Sequence, residues 1–285
     1  MSNEKTALVM EGGGLRGAFT AGCLTWLIDN GITFDGAYGI STGAMYLTAF
    51  LMGNKDELYD FSVNGLNDKR YIGIRALLRC RRIVDYDYLF NQMLTVEKGY
   101  DLQPLKTVPQ EGRIGLYDMD EARTLYFSTR DFVLDMLKAS TTLPIIGKVV
   151  PVNGRRYLDG GITDMIPIEE AVKDGYEKFL IITTKPADYV RKPAKKAIVE
   201  LMKVSYPCCK QISEDYAVRH LNYEKQIALI RKLEADGRAL YVYPLRHSKV
   251  TRLGGKAEDL AELFHMGYDQ MEENRETVFA DFKNV

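Results

Sequence analysis

Short apolar runs alternate with segments of helical periodicity through the first part of the chain. Thr6–Met10 is one such run, and it predicts a strand that is buried on both faces in a parallel sheet. A helix is predicted over residues 18–27, ended by Asn30-Gly31, and a second strand over residues 32–38. Consecutive strand–loop–helix units favour parallel neighbouring strands joined by a right-handed crossover.

The remaining pattern predicts a mixture of strands and helices. Residues 54–103 are expected to be mostly helical, as a lid or wall of a site. The turn Asn153-Gly154 gives the strongest hairpin signal, between strands at 149–152 and 156–158. The other predicted strands are 113–118, 123–128, 179–184 and 239–243, and the other predicted helices are 45–52, 130–139, 166–173, 213–236 and 257–282.

A glycine-rich turn follows the first predicted strand. Gly12, Gly14 and Gly17 match G-x-G-x-x-G, which occurs in dinucleotide sites, but those sites also need an acidic residue at the end of the second strand. Here that strand leads into Ser41 instead. The pattern favours an oxyanion hole, with a nucleotide site or a simple packing turn as alternatives. Arg16 would hold the loop's shape or meet an anion.

The segment Gly39-Ile40-Ser41-Thr42-Gly43 is a G-x-S-x-G sequence between a predicted strand and a predicted helix. This context is typical of a nucleophile elbow, in which a sharp turn exposes a serine hydroxyl. Composition alone predicts roughly 0.06 chance matches. The alternative is an ordinary turn in which Ser41 caps a helix. Parallel pairing would place Ser41 beside the glycine turn.

Composition narrows the functional classes. The net charge of −1 argues against a nucleic-acid partner. Cys23, Cys80, Cys208 and Cys209 show no spacing typical of a structural disulfide or metal site, so a reducing, cytoplasmic setting is expected. No apolar run is long enough to span a bilayer, and the polar N-terminus shows no signal-peptide pattern.

Two basic segments leave peripheral membrane contact open. Residues 69–82 interleave basic and apolar side chains, a pattern that suits either an anionic membrane surface or, as we favour, a packed helix with a solvated basic face. The basic segment 185–196 is predicted to be a solvated loop.

A serine nucleophile needs a base. Of the histidines His220, His247 and His265, only His247 follows a strand and would suit a triad. An α/β-hydrolase fits badly, because only one strand precedes the serine strand. Asp85 and Asp87 are predicted helix caps rather than metal ligands. Asp159 precedes two glycines at a strand end, where Asp-Gly is most often an ordinary turn.

Three motifs in order resemble the patatin-like phospholipase family, and in particular its bacterial members. They are Glu11-Gly12-Gly13-Gly14-Leu15-Arg16-Gly17, Gly39-Ile40-Ser41-Thr42-Gly43 and Asp159-Gly160-Gly161. The stretch 139–144 is also similar to that family, and the resemblance extends to about residue 185. It implies an α/β fold, namely a three-layer α/β/α sandwich with a mainly parallel central sheet.

The resemblance also implies a mechanism and a domain organisation. Ser41 would be the nucleophile and Asp159 its base, without histidine, metal or cofactor. The oxyanion hole would be the loop of Gly12, Gly13, Gly14, Leu15, Arg16 and Gly17, with Gly39, Gly43, Gly160 and Gly161 supporting the motifs. Residues 1–285 would form one domain, with a core at about 5–185 and a helix–strand–helix extension at about 186–285.

The implied substrate is an acyl lipid ester. A catalytically silent lipid-binding protein and a dinucleotide-binding protein remain as alternatives. The sequence leaves open the lipid head group, the acyl chain length and the oligomeric state.

Overall fold

The computed structural model describes residues 4–65 and 68–282. Its strands are β1 (Thr6–Met10), β2 (Gly36–Ile40), β3 (Glu111–Asp118), β4 (Arg123–Ser128), β5 (Val150–Val152), β6 (Arg155–Asp159), β7 (Lys178–Ile182) and β8 (Ala239–Val242). Its α-helices are α1 (Ala18–Asp29), α2 (Thr42–Leu51), α3 (Lys55–Tyr59), α4 (Ile74–Cys80), α5 (Leu134–Thr141), α6 (Ile168–Lys173), α7 (Lys196–Ser205), α8 (Gln211–Ala235), α9 (Ala257–Glu273) and α10 (Arg275–Phe282). Two π-helices, Asp60–Gly65 and Tyr88–Glu97, complete the largely helical segment predicted at 54–103.

One mixed sheet has the strand order β5-β6-β3-β2-β1-β7-β8, and β4 also pairs with β3. Strands β3, β2, β1, β7 and β8 pair with one another in parallel. Strands β4 and β6 pair with β3 in antiparallel, and β5 pairs with β6 in antiparallel. Met10 at the end of β1 is opposite Gly39 in β2. The two turns that follow these strands therefore lie side by side, as the sequence predicts.

Helices cover both faces of the sheet. Leu8 and Met10 of β1 lie in one apolar core with residues of α1, α2 and α9, whereas Ala7 and Val9 lie in a second core with residues of α6 and α8. Alternate residues of a strand point to opposite faces, so these two cores are the two sides of the sheet. The three-layer α/β/α architecture and the mainly parallel sheet are confirmed.

Several predicted element boundaries are wrong for local reasons. The second strand begins at Gly36 rather than at residue 32, because the Asp35 carboxylate accepts the Thr6 N–H at 2.7 Å and residues before it form a loop. The predicted helix 130–139 is a 3₁₀ turn at Thr129–Asp131 followed by α5. The predicted terminal helix divides into α9 and α10 at Asn274, whose side-chain amide donates to the Gln270 carbonyl at 2.8 Å.

The structure also corrects one prediction about the basic segments and part of another. Within α4 only Ala76 is buried, so residues 69–82 do not form a packed helix with a single solvated face. The segment 185–196 is a loop as far as Lys195, as predicted, and most of it is solvated. Lys185 and Arg191 are buried, however, and the helix α7 that begins at Lys196 has no counterpart in the prediction.

The cysteines and the helix lengths add two simple findings. Cys23, Cys80, Cys208 and Cys209 are all free thiols. Among residues 4–65 and 68–282, no helix has both the length and the apolar composition needed to cross a membrane.

Candidate active site

Ser41 occupies a sharp turn between β2 and α2. Its backbone has φ 56° and ψ −126°, a conformation that is strained for a residue with a side chain. The Ser41 N–H donates to Ser140 Oγ at 3.2 Å, and Ser140 Oγ donates to the Gly115 carbonyl at 2.8 Å. These two hydrogen bonds connect the Ser41 turn to Ser140 and to β3. The strand–turn–helix geometry predicted for G-x-S-x-G is therefore present.

The two flanking glycines make this turn possible because backbone segments meet there. A Cβ at Gly39 would lie 2.6 Å from the Gly43 carbonyl oxygen, and a Cβ at Gly43 would lie 2.8 Å from the Met10 carbonyl oxygen. Neither position has room for a side chain. The motif therefore brings β1 and the start of α2 into direct backbone contact.

The glycine turn after β1 contacts the serine turn. A Cβ at Gly12 would lie 2.9 Å from the Ser41 Cβ, and a Cβ at Gly17 would lie 2.6 Å from the ring of Tyr46 in α2. The Gly13 N–H donates to Thr42 Oγ1 at 3.2 Å. The predicted juxtaposition of the two motifs is thus found in the fold.

Several N–H groups of the two turns already have acceptors. The Gly12 N–H donates to the Met165 carbonyl at 3.2 Å, and the Leu15 N–H donates to the Arg252 carbonyl at 3.1 Å. The N–H groups of Gly14 and Thr42 have no acceptor within the described part of the chain. These two donors remain available to an anion that forms next to Ser41.

Asp159 ends β6, which pairs with β3 through Leu116. Its carboxylate is almost fully buried and accepts the Gly161 N–H at 2.7 Å. Burial raises the pKa of Asp159 above its usual range, and the Gly161 N–H, the Ser41 side chain and two arginines offset only part of this effect. A Cβ at Gly160 would lie 2.8 Å from the Gly115 carbonyl oxygen, so backbone packing also positions this motif.

Ser41 and Asp159 line one pocket of about 370 Å³, together with Gly12, Gly13, Gly14 and Gly161. A second pocket of about 520 Å³ shares Gly14, Ser41, Leu143 and Arg252 with the first. Its other walls are mainly apolar: Leu15, Met45, Tyr71, Ile72, Val84, Tyr86, Leu89 and Leu253. Ser41 therefore stands between a polar pocket and an apolar one.

A model of the family described as patatin-like phospholipase matches residues 8–172, more than half of the chain. The chain belongs to the patatin-like phospholipase family. The resemblance drawn from the three motifs is confirmed. A second model, described as a domain of unknown function (DUF6363), matches residues 209–281, so the organisation of residues 1–285 as one domain stays a prediction.

Two individual proteins are similar to this patatin-like chain. Over 203 residues it is 29% identical to a protein named "Uncharacterized protein YjjU" from Escherichia coli (strain K12), which covers 66% of this chain. The match spans only 54% of that relative's own length. The structure of VipD from Legionella pneumophila aligns with 96% of this chain and 67% of VipD, at 13% identity and a TM-score of 0.47.

None of the three histidines lines either pocket beside Ser41. His247 is exposed and lies 3.4 Å from the exposed Asp188 carboxylate. His220 contacts the carbonyl of Ala217 in its own helix, and His265 stacks near Tyr59. The geometry gives no support to a histidine-containing triad.

The first residue of the glycine motif has a structural partner that the sequence reading missed. The Glu11 carboxylate is fully buried, accepts the Thr184 N–H at 2.6 Å and forms an ion pair with buried Lys185. Burial raises the pKa of Glu11, but Lys185, Thr184 and Arg191 outweigh burial and hold that pKa below its usual range. This ion pair joins β1 to the end of β7 below the glycine turn.

Two arginines in the polar pocket were also missed. Arg219 in α8 and Arg252 in the loop after β8 line it, and both belong to the second matched region. Arg219 Nη2 donates to the Gly161 carbonyl at 2.6 Å. One feature of the sequence could have indicated Arg219. It lies between Ile212 and Tyr223 on the buried face of α8, where a cation is unusual.

The sequence-predicted residues Arg16 and Asp85 also have definite places. Arg16 is half-buried behind the glycine turn, and burial lowers its pKa. Asp85 Oδ1 accepts the Tyr88 N–H at 3.0 Å, which is the capping role predicted for it. Among residues 4–65 and 68–282, no group of three or more His, Cys, Asp or Glu side chains is placed to hold a metal ion.

Proposed function

We propose that this patatin-like chain is a serine acyl hydrolase that cleaves ester bonds of phospholipids or other acyl lipids through Ser41 and Asp159. One observation carries the proposal. The strained Ser41 turn and the buried Asp159 carboxylate share a pocket that no histidine lines. The adjoining apolar pocket suits an acyl chain, which supports a lipid ester as substrate.

In this mechanism Asp159 takes the proton of Ser41 Oγ as the oxygen attacks the ester carbonyl. The N–H groups of Gly14 and Thr42 donate to the oxyanion, assisted by the positive end of α2. The carbon–oxygen bond to the alcohol then breaks, and Asp159 returns the proton to the leaving alcohol. Water hydrolyses the acyl-serine by the same steps, with Asp159 first accepting its proton. Burial of Asp159 favours this role because a raised pKa makes its carboxylate a stronger base.

Labelling with a fluorophosphonate tests the proposal. We expect one covalent adduct on Ser41, located by mass spectrometry of the digested protein, because only an activated serine reacts readily. Ser41→Ala should remove the adduct, and Ser205→Ala, at an exposed serine of α7, should retain it.

The absence of an adduct in folded wild-type protein would contradict the proposal. Liposome binding without labelling would then favour a silent lipid-binding protein, and tight dinucleotide binding would favour a nucleotide site.

We also propose that residues 73–83 dock on an anionic lipid surface. The two ends of this segment are held together by an antiparallel bridge between Ile72 and Val84. Both of these residues line the apolar pocket. Ile74 and Leu78 of α4 are 74% and 81% exposed, and Arg75, Arg81 and Arg82 are exposed beside them. Apolar side chains among cations suit insertion into a membrane of negative charge. Docking there would place the acyl pocket next to the bilayer.

Vesicle sedimentation tests this docking. We expect the wild type to bind vesicles of phosphatidylglycerol and phosphatidylcholine, and Leu78→Asp to lower that binding at least about tenfold, because it puts a charge in the apolar contact. Val204→Asp is the matched control, since Val204 is 79% exposed on α7, outside this segment. An equal loss of vesicle binding in both variants would contradict the docking surface. Wild-type binding that does not depend on the anionic lipid would contradict it as well.

A further inference from the structure

The polar pocket lies within a cluster of cations that the proposed hydrolysis does not require. Arg219 and Arg252 line it. Arg16 and Arg191 are close enough to interact electrostatically with them, and with each other. None of the four arginines forms a direct ion pair among residues 4–65 and 68–282. Glu11, which pairs with Lys185, and Asp159 act on them electrostatically without such contact. We call these four residues the arginine cluster.

Several donors of the arginine cluster are buried without acceptors. The Nε atoms of Arg16, Arg191 and Arg219 are buried, and each lacks a hydrogen-bond partner within the described residues. Arg191 and Arg219 are only 9% and 7% exposed. A buried, unpaired donor on a charged group is costly. Of these three residues only Arg219 lines the polar pocket, so it is the one whose guanidinium a bound anion could meet there.

The cations also oppose one another. Burial, reinforced by Arg252 and Arg191, lowers the pKa of Arg219 to about 10. Burial raises the pKa of Tyr216 on the pocket wall, but Arg219 and Arg252 outweigh burial and lower that pKa. The lowered pKa of Tyr216, which burial opposes, has the sign of a site with excess positive charge, and a bound anion would relieve that excess.

The position of the arginine cluster relates it to the reacting ester. A Cβ at Gly14 would lie 2.7 Å from Arg252 Cγ, so Arg252 packs over the glycine turn. Arg219 is joined through Gly161 to the Asp159 carboxylate by hydrogen bonds of 2.6 and 2.7 Å. The apolar pocket lies beside Ser41. Arg252 borders both pockets, whereas Arg219 lies only in the polar pocket. An ester at Ser41 would thus direct its acyl chain into the apolar pocket and its alcohol toward the arginines.

Resting on the hydrolase function proposed above, we propose that the arginine cluster binds a phosphate on the leaving alcohol, and that the preferred substrates are acyl esters of a phosphorylated alcohol whose phosphate ends the molecule. Two arginines on the wall, with two more behind them, suit a dianionic phosphate better than a phosphate that bears a cationic choline.

Substrate comparison tests the proposal with three soluble esters of one acyl chain: a 1-acylglycerol 3-phosphate, a 1-acylglycerophosphocholine and a 1-acylglycerol. We expect the wild type to have a kcat/KM at least about tenfold higher for the phosphate monoester than for either other ester. In Arg252→Gln the ratio of kcat/KM for the phosphate monoester to that for the acylglycerol should fall about 10- to 100-fold, mainly through KM. Arg219→Gln should lower the same ratio.

Arg246→Gln is the matched control. Arg246 lies in the same loop as Arg252 but is exposed and pairs with Glu262, so its loss should leave the ratio unchanged. Turnover of all three esters at similar rates would overturn the arginine-cluster proposal and leave the hydrolase intact. Absence of turnover for every ester would instead contradict the hydrolase itself.

Inorganic phosphate distinguishes a head-group site from a site for the free ion. We expect phosphate to compete with the phosphate monoester in the wild type and to compete much more weakly in Arg252→Gln. Phosphate inhibition without any preference for the phosphate monoester would assign the arginine cluster to the free ion and overturn the head-group assignment.

Discussion

Asp159→Asn is expected to abolish ester hydrolysis, lowering kcat/KM by at least about 10³-fold, since Asp159 is the only carboxylate among the described residues that line the polar pocket with Ser41. The asparagine side-chain oxygen can still accept the Gly161 N–H, so the turn should keep its shape. Hydrolysis of a p-nitrophenyl ester measures the activity. Full activity in Asp159→Asn together with its loss in His247→Ala would favour a histidine triad instead.

Thermal unfolding of the same variant separates lost chemistry from lost structure. The folded-state pKa of Asp159 is raised, so its ionised form is less favourable in the folded protein than in the unfolded chain. This destabilisation develops as pH rises through the carboxyl pKa, and Asp159→Asn should remove it. At neutral pH we therefore expect the inactive variant to be as stable as the wild type or more stable. The wild-type activity should also be lost in acid. The midpoint of that loss should lie above about 3.9, which is the ordinary aspartate pKa.

Glu11→Gln is expected to destabilise the protein by about 3–5 kcal/mol, because it leaves Lys185 buried without a counter-charge. The glutamine oxygen can still accept the Thr184 N–H, so the change isolates the charge. Since the pKa of Glu11 is lowered in the fold, its stabilising effect is present at neutral pH and is lost in acid. Urea unfolding at pH 7 measures the loss.

Two further variants make the Glu11 result specific. Glu262→Gln removes a surface ion pair with Arg246 and should cost no more than about 1 kcal/mol. The double change Glu11→Gln and Lys185→Met removes both buried charges and should recover much of the lost stability. A Glu11→Gln protein within about 1 kcal/mol of the wild type would contradict a structural role for the pair.

These effects concern two different uses of buried charge around one turn. The Glu11–Lys185 pair is neutral as a unit and joins β1 to the end of β7. The arginine cluster interacts with Glu11 and Asp159 without forming a direct ion pair in the described residues, and two of its members line the polar pocket. The Glu11–Lys185 ion pair stabilises the glycine turn, and the arginines that lack such a direct pair remain available to the substrate.

The predictions that succeeded depend on short-range backbone chemistry. Asn153 and Gly154 have φ of 49° and 80°, the pair of positive values that an Asn-Gly hairpin turn needs. That hairpin could therefore be predicted from two residues. The boundaries of β1 and α1 follow equally local signals. The predictions that failed concern which side chains of a segment are buried by the rest of the protein, as for α4 and Lys185.

By itself the sequence determined the α/β class, the parallel strands that carry the two turns, the Ser41 elbow and the family. Each depends on glycine, apolar and turn residues whose conformational preferences act within a few positions. Only the tertiary structure decided that Arg219 and Arg252 join the pocket of Ser41, that Lys185 meets Glu11, and that α4 exposes apolar side chains. Burial and charge pairing arise where distant surfaces meet, and no local preference along the chain encodes such a meeting.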